Sequence, residues 1–219
     1  MDKRTKETSF WRTEKERYKQ WYNGTLNKLH GTSSPAVKFT SATTLDHNAI
    51  ITWWEHFQKP HYLDQLRADS DMFDGKVVLD IGSGPMPSAA CFSKATILCL
   101  EPALDDYLYL GFPLHYYPYN VTWVHGCAED IPLQDNSVDA VISVNAIDHV
   151  DDFKSTVKEI QRVLKPDGDI RLCCHYHKAK TCEPIALSDQ KMSKAFHWCD
   201  GMKKIEKIRN DKFVWSNMK

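Results

Sequence analysis

No apolar run in these 219 residues approaches the roughly 18 residues of a membrane span. The first residues, Met1 to Glu7, also lack the apolar stretch of a secretion signal. The chain is therefore expected to be soluble and cytoplasmic, with no membrane partner. Neither sign of charge dominates: 28 Lys and Arg against 29 Asp and Glu leave a net charge of −1. That balance gives nucleic acid, or any polyanion, no support as a partner. Seven cysteines form an odd set without the spacing of a disulfide framework or a closed zinc site, which points to a reducing compartment and to no metal. There is no internal repeat and no low-complexity tract, so an array architecture is excluded.

What remains is a chain that is 42% hydrophobic and 26% charged, long enough for a single domain with a full core. Its texture changes part-way. Over Ser9 to Leu29 the large residues Phe10, Trp11, Tyr18, Trp21, Tyr22, Leu26 and Leu29 recur mostly at spacings of three and four, predicting an amphipathic helix. A second helical pattern runs from Ile50 to about Arg67, bent or broken near Pro60. Residues 1–70 thus read as a helical cap and residues 71–219 as the core of the same domain.

From Lys76, short runs rich in Val, Ile and Leu alternate with helical stretches, the mark of parallel strands covered on both faces. The expected strands are Val77 to Ile81, Thr96 to Glu101, Val121 to Gly126, Ala140 to Asn145 and Asp169 to His175. A helix from Asp152 to Leu164 should stop at Lys165-Pro166-Asp167-Gly168. Met202 to Ile208 and Phe213 to Asn217, joined across Arg209 to Lys212, read as an antiparallel hairpin. The expected fold is α/β and Rossmann-like, a seven-stranded mostly parallel sheet with helices on both faces, a C-terminal antiparallel hairpin and an N-terminal helical extension.

In such a sheet the ligand lies beyond the carboxyl ends of the strands, where the first strand turns into its helix. Gly82-Ser83-Gly84 occupies that turn, and Pro85 or Pro87 suits the first turn of a following helix. Glu101 closes the second strand about 20 residues after Asp80, the offset of a carboxylate that accepts from ribose hydroxyls. A nucleotide-binding oxidoreductase would share both features. It would want a third glycine where Pro87 stands.

Four ordered segments carry a resemblance: Val78-Leu79-Asp80-Ile81-Gly82-Ser83-Gly84-Pro85, Glu101, Gly126-Cys127-Ala128-Glu129-Asp130-Ile131-Pro132-Leu133, and Arg162-Val163-Leu164-Lys165-Pro166-Asp167-Gly168. From about Lys76 to His177 the chain resembles the class I S-adenosylmethionine-dependent methyltransferases. The resemblance implies that Asp80, Gly82, Ser83 and Gly84 face the methionine end of S-adenosylmethionine and that Glu101, followed by Pro102, faces the ribose. It puts Cys127, Ala128 and Glu129 at the adenine edge and Asn145 near the sulfonium. Two features depart from the family pattern: Met86-Pro87 displaces the third small residue of the loop, and Cys127 stands where many relatives carry Asp. Backbone amides of Ala128 and Glu129 are then the expected adenine partners.

Methyl transfer uses an activated donor, so the protein mainly aligns the acceptor and, where required, removes its proton. His149 follows the fourth strand, and His175 and His177 end the fifth; these three are the candidate catalysts. His149 has an alternative packing role at the start of the next helix. Alternation places Cys173, His175 and His177 on one side of the fifth strand. Trp53, Trp54, His56, Phe57 and Tyr62 could form a lid or a core, and Thr181 to Trp198 reads as the insertion that shapes the acceptor pocket. The leading expectation is methyl transfer to a small-molecule acceptor, at an oxygen of a sugar or secondary metabolite. Two others stay open: a methyltransferase for nucleic acid or protein docking through the basic C-terminal hairpin, and a non-catalytic cofactor-binding protein. The oligomeric state is not legible.

Overall fold

A computed structural model of the chain describes residues 3–209 and 211–218, so Met1 and Asp2 of the expected leaderless start, Asn210 in the hairpin turn, and Lys219 in the basic tail lie outside the described residues. The chain opens with α1 (Lys3–Asn23), a two-stranded hairpin of β1 (Lys28–Leu29) and β2 (Thr32–Ser33), then α2 (Leu45–Trp53) and α3 (Lys59–Leu66). The sheet strands are β3 (Val77–Ile81), β4 (Thr96–Glu101), β5 (Val121–His125), β6 (Val138–Val144), β7 (Leu164–His175), β8 (Lys203–Arg209) and β9 (Lys212–Ser216). Three helices intervene: α4 (Leu104–Tyr109), α5 (Phe153–Val163) and α6 (Asp189–Ala195).

The seven strands lie in the order β5-β4-β3-β6-β7-β9-β8. Strands β3 to β7 are parallel, and β9 runs antiparallel to both β7 and β8. The strand order reverses between β3 and β6, and a ligand crevice forms at such a switch point because the connections leave toward opposite faces.

The two faces of the sheet are buried differently. Leu79 and Ile81 pack with Val157, Ile160 and Val163 of α5 and Met192 and Phe196 of α6. Val78 meets Tyr62 and Leu66 of α3 together with Ala89 and Phe92. A third cluster joins Tyr18, Trp21 and Tyr22 of α1 to Trp53 and Trp54, with Tyr18 stacked on Trp53 at 5.4 Å. No helix among the described residues is long and apolar enough to cross a membrane.

Helix α5 starts where expected because Asp152 accepts from the amides of Lys154 (2.9 Å) and Ser155 (3.2 Å), satisfying donors that the first turn leaves free. Four expectations need correction. First, α1 begins earlier and ends at Asn23, where Gly24 takes a left-handed φ of +80° and releases the chain into the small hairpin. Second, Pro60 does not break the second helix; a π-turn over Trp54–Gln58 leads into α3, with Pro60 in its first turn, where a missing amide costs little. Third, no full helix follows the glycine turn, only a single 3₁₀ turn at Ser88–Cys91. Fourth, Pro166 to Gly168 is no loop. It belongs to β7, at a register irregularity opposite Val138 and Ala140. Gly168 is needed because a Cβ there would lie 2.5 Å from Leu164 Cδ1.

Candidate active site

Asp80, near the end of β3, is 1% exposed. Its Oδ1 accepts from the Tyr62 hydroxyl of α3, while Oδ2 is buried with no partner. Burial pushes its carboxyl up to about 7, against the opposing hydrogen bond from Tyr62. Gly82 and Gly84 both hold left-handed φ, +71° and +64°. A Cβ on Gly82 would come within 2.3 Å of the Ala146 Cβ, so the loop after β6 closes directly over the turn.

Glu101, 3% exposed at the tip of β4, accepts from the amides of Gly84 and Ala103, each at 3.0 Å. Burial raises its carboxyl to about 7; the Ala103 amide opposes the rise and Glu7 adds to it. The expected turn, acid and strand tip therefore meet in space. Pro102 is exposed, and its carbonyl lies 3.1 Å from His125 Nε2. Cys127 is exposed and Ala128 buried. The Glu129 carboxylate is already engaged by the amides of Asp151 (2.6 Å) and Asp152 (3.2 Å), so it fixes the approach to α5.

Asn145, one residue beyond β6, has a φ of +51°, which Asn tolerates better than most residues. It lies between the two halves of the site: its amide nitrogen reaches Gln65 Oε1 at 3.4 Å, and its Oδ1 is 4.0 Å from Cys173 Sγ of β7.

Beyond Asn145, His175 and His177 come together with two carboxylates that sequence reasoning did not place there. His177 Nε2 is 2.9 Å from Asp148 Oδ2 and 3.7 Å from Glu183 Oε2. His149 Nε2 stands 4.0 Å from Glu183 Oε1, at the edge of this group. The His177 imidazole is held above its ordinary range: burial lowers it, and the Lys178 carbonyl, Asp148 and Glu183 outweigh that. His175 is held below, by burial and by His177 and Lys212. Of the segment Thr181 to Trp198, Glu183 reaches the cluster and the Ile185 amide bonds to the Asp148 carbonyl at 3.1 Å. Met192 and Phe196 instead belong to the core.

Among the candidate lid aromatics, Trp53 and Trp54 are buried in the cap core. Trp54 still serves the site, since its Nε1 donates to the Pro87 carbonyl at 3.1 Å. The element that crosses the crevice is the first half of α1. Lys3 pairs with Asp151 at 2.8 Å, Arg4 with Asp106 at 2.6 Å, and Trp11 lies against Gly84.

Residues 79–172, which hold this arrangement, match the family model described as a methyltransferase domain. Residues 79–172 thus form a methyltransferase domain, and the chain resembles the class I methyltransferases. A demethylmenaquinone methyltransferase of Staphylococcus saprophyticus is 42% identical over 127 residues, 56% of this chain and 53% of that protein. The uncharacterized methyltransferase YcgJ of Bacillus subtilis is 34% identical over 102 residues, 45% of this chain and 40% of its own. The chain thus spans about half or less of the curated relatives it matches. In structure it resembles YcgJ with a TM-score of 0.54 at 21% identity, over 69% of this chain and 71% of that one. It also resembles a protein of Methanococcus maripaludis, described as an S-adenosylmethionine-dependent methyltransferase, with a TM-score of 0.57 at 17% identity, over 85% and 96% of the two chains. These likenesses speak for the fold. The cofactor of this family is S-adenosylmethionine, and the site fits it: a buried carboxylate oxygen on Asp80 lacks a partner beside a turn that only glycine permits, with a second buried acid one strand away.

Proposed function

We propose that this chain transfers a methyl group from S-adenosylmethionine to a small molecule, at the oxygen of a hydroxyl such as a sugar or secondary metabolite carries. The observation that carries the reading is the grouping of His149, His175 and His177 with Asp148 and Glu183 beyond Asn145, on the far side of the crevice from Asp80 and Glu101. A bound S-adenosylmethionine supplies a methyl group already activated on a sulfonium. In this reading Asp80, Gly82, Ser83 and Gly84 hold its methionine end, Glu101 its ribose, and the segment from Cys127 to Glu129 its adenine edge. The histidine group orients the acceptor hydroxyl and takes up its proton. His149 is more exposed than His177 and suits the exit of that proton.

A small acceptor is favoured because the chain has no excess of basic residues and because α1 crosses the crevice, leaving a covered site unsuited to a broad macromolecular surface. The cap of residues 3–66 belongs, in this reading, to the same unit as the sheet. Seven free cysteines suit a reducing, cytoplasmic setting.

The test is transfer of labelled methyl to a panel of hydroxyl-bearing small molecules, with cofactor binding followed by calorimetry. Product on a hydroxyl, and cofactor affinity lost in Asp80→Ala and Glu101→Gln, is the expected result. Transfer only to RNA, protein or carbon acceptors would overturn the acceptor reading, and unchanged cofactor binding in both variants would overturn the site.

A further inference from the structure

We infer that Asp148, His175, His177 and Glu183 form a binding site for one divalent transition-metal cation of the zinc or manganese kind. Each side chain comes from a different place: Asp148 from the loop after β6, His175 from the last position of β7, His177 just beyond it, and Glu183 from the segment that the Ile185 amide ties to Asp148. One ligand atom from each lies within 4.8 Å of all the others. A tetrahedral site with bonds of about 2.0–2.1 Å has ligand-to-ligand edges of roughly 3.3 Å. The contacts of His177 Nε2, 2.9 Å to Asp148 and 3.7 Å to Glu183, bracket that edge.

The hydrogen bonds of His177 carry the argument further. Its Nδ1 lies 2.7 Å from the Lys178 carbonyl, which can only accept, so the proton of a neutral ring sits on Nδ1. Nε2 then turns a lone pair toward a carboxylate oxygen 2.9 Å away. That contact needs positive charge between the two atoms, which a proton on Nε2 supplies in the metal-free protein and a cation would supply in its place. An Nδ1–H bonded to a carbonyl, with Nε2 facing inward, is also how proteins orient a metal-bound imidazole.

A second observation points the same way. Asp148 is 1% exposed, and its Oδ1 is buried with no hydrogen-bond partner. A carboxylate oxygen left that way is costly, and coordination of a cation by this carboxylate would relieve the cost. Two imidazole nitrogens with two carboxylate oxygens suit zinc, manganese or iron(II) better than calcium, which prefers oxygen alone, or copper(I), which prefers sulfur. Lys180 Nζ, 2.7 Å from Glu183 Oε2, supplies positive charge at the rim, and its exposed chain is free to withdraw. The sequence gives no closed zinc pattern because Asp148 lies far from the His-x-His pair along the chain and the remaining ligand is a carboxylate in the segment that follows it. The consequence for catalysis, that a cation here lowers the pKa of an acceptor hydroxyl as it does for bound water, rests on the methyltransferase reading; cation binding does not.

The test uses the full chain after treatment with a chelator, titrated by calorimetry with zinc chloride and, separately, manganese chloride. Cobalt(II) serves as the spectroscopic probe, and cofactor binding is measured on the same samples. Expected are one equivalent of metal and a cobalt spectrum without thiolate charge-transfer bands. His175→Ala and Glu183→Gln should weaken binding by about 100-fold or more while keeping the wild-type Tm in chelator, and Lys180→Met should keep or tighten it. No stoichiometric uptake by the wild type overturns the proposal, as does wild-type affinity in both ligand variants, or a thiolate band that assigns the metal to cysteine. Cofactor binding without metal uptake overturns this inference alone; metal uptake without cofactor binding overturns the methyltransferase reading alone.

Discussion

The hydroxyl of Tyr62 donates to Oδ1 of Asp80, so a residue of the helical cap completes the carboxylate at the tip of the first parallel strand. The cap and the crevice at the strand ends are therefore chemically joined as well as packed. Arg171 strengthens the junction from β7, donating to the carbonyls of Leu66 and Arg67, which the end of α3 leaves without intrahelical donors.

Tyr62→Phe leaves Asp80 buried with neither oxygen bonded. The loss should be about 1–3 kcal/mol of stability at neutral pH, with cofactor affinity reduced. Lowering the pH should recover part of the stability, because a protonated carboxyl needs less compensation. Chemical denaturation at two pH values checks this, and equal losses at both would refute it.

Asp80, raised from 3.8 to about 7, and Glu101, raised from 4.5 to about 7, set a pH dependence. Between about pH 4 and pH 7 the folded chain binds more protons at these two groups than the unfolded chain does. Their contribution to stability therefore falls as pH rises through that window. Denaturation midpoints without cofactor should decline from pH 5 to pH 8, and the decline should shrink in Asp80→Asn and Glu101→Gln. Cofactor groups that favour the charged carboxylates should bind more tightly as pH rises through about 7. A flat midpoint profile that neither variant alters would contradict the assignment.

Gly82→Ala and Gly75→Ala form a matched pair. Both glycines have nearly the same left-handed φ, +71° and +73°, yet a Cβ meets nothing within 4 Å at Gly75 and the Ala146 Cβ at 2.3 Å at Gly82. Gly75→Ala should cost only the backbone penalty of about 1–2 kcal/mol. Gly82→Ala should cost about 1–3 kcal/mol more through the clash and should weaken cofactor binding. Similar losses in the two variants would mean that Ala146 yields easily.

Trp11→Ala removes the ring that covers Gly84. The first half of α1 is held across the crevice partly by exposed ion pairs, Lys3 with Asp151 and Arg4 with Asp106, each worth about 0–1 kcal/mol. If this segment governs entry, stopped-flow association of the cofactor should be faster in the variant. An unchanged association rate would show that α1 covers the site without gating it.

Much of this protein was legible along the chain. Runs such as Val77 to Ile81 must be strands buried on both faces, and the spacing of Val157, Ile160 and Val163 must place one side of α5 on the core, because periodicity follows from local geometry. The turn at Gly82 to Gly84 and the acid at Glu101 were readable for the same reason: each depends on its own strand and the residues beside it. The fate of Pro166 to Gly168 was not, since the partner strand, rather than local turn chemistry, decides whether that stretch joins β7.

The site divides along the same line. By itself the sequence determined the half around Asp80, Gly82, Gly84 and Glu101, where backbone conformation and the order of strands dictate which residues meet. Only the tertiary structure decided the other half. It brought Tyr62 to Asp80, Trp11 to Gly84, and Asp148 and Glu183 to His177, contacts set by how the cap, the loop after β6 and the segment after β7 fold back over one end of the sheet. Contacts between side chains far apart in the chain leave no periodicity or spacing to read, because they depend on packing of whole elements.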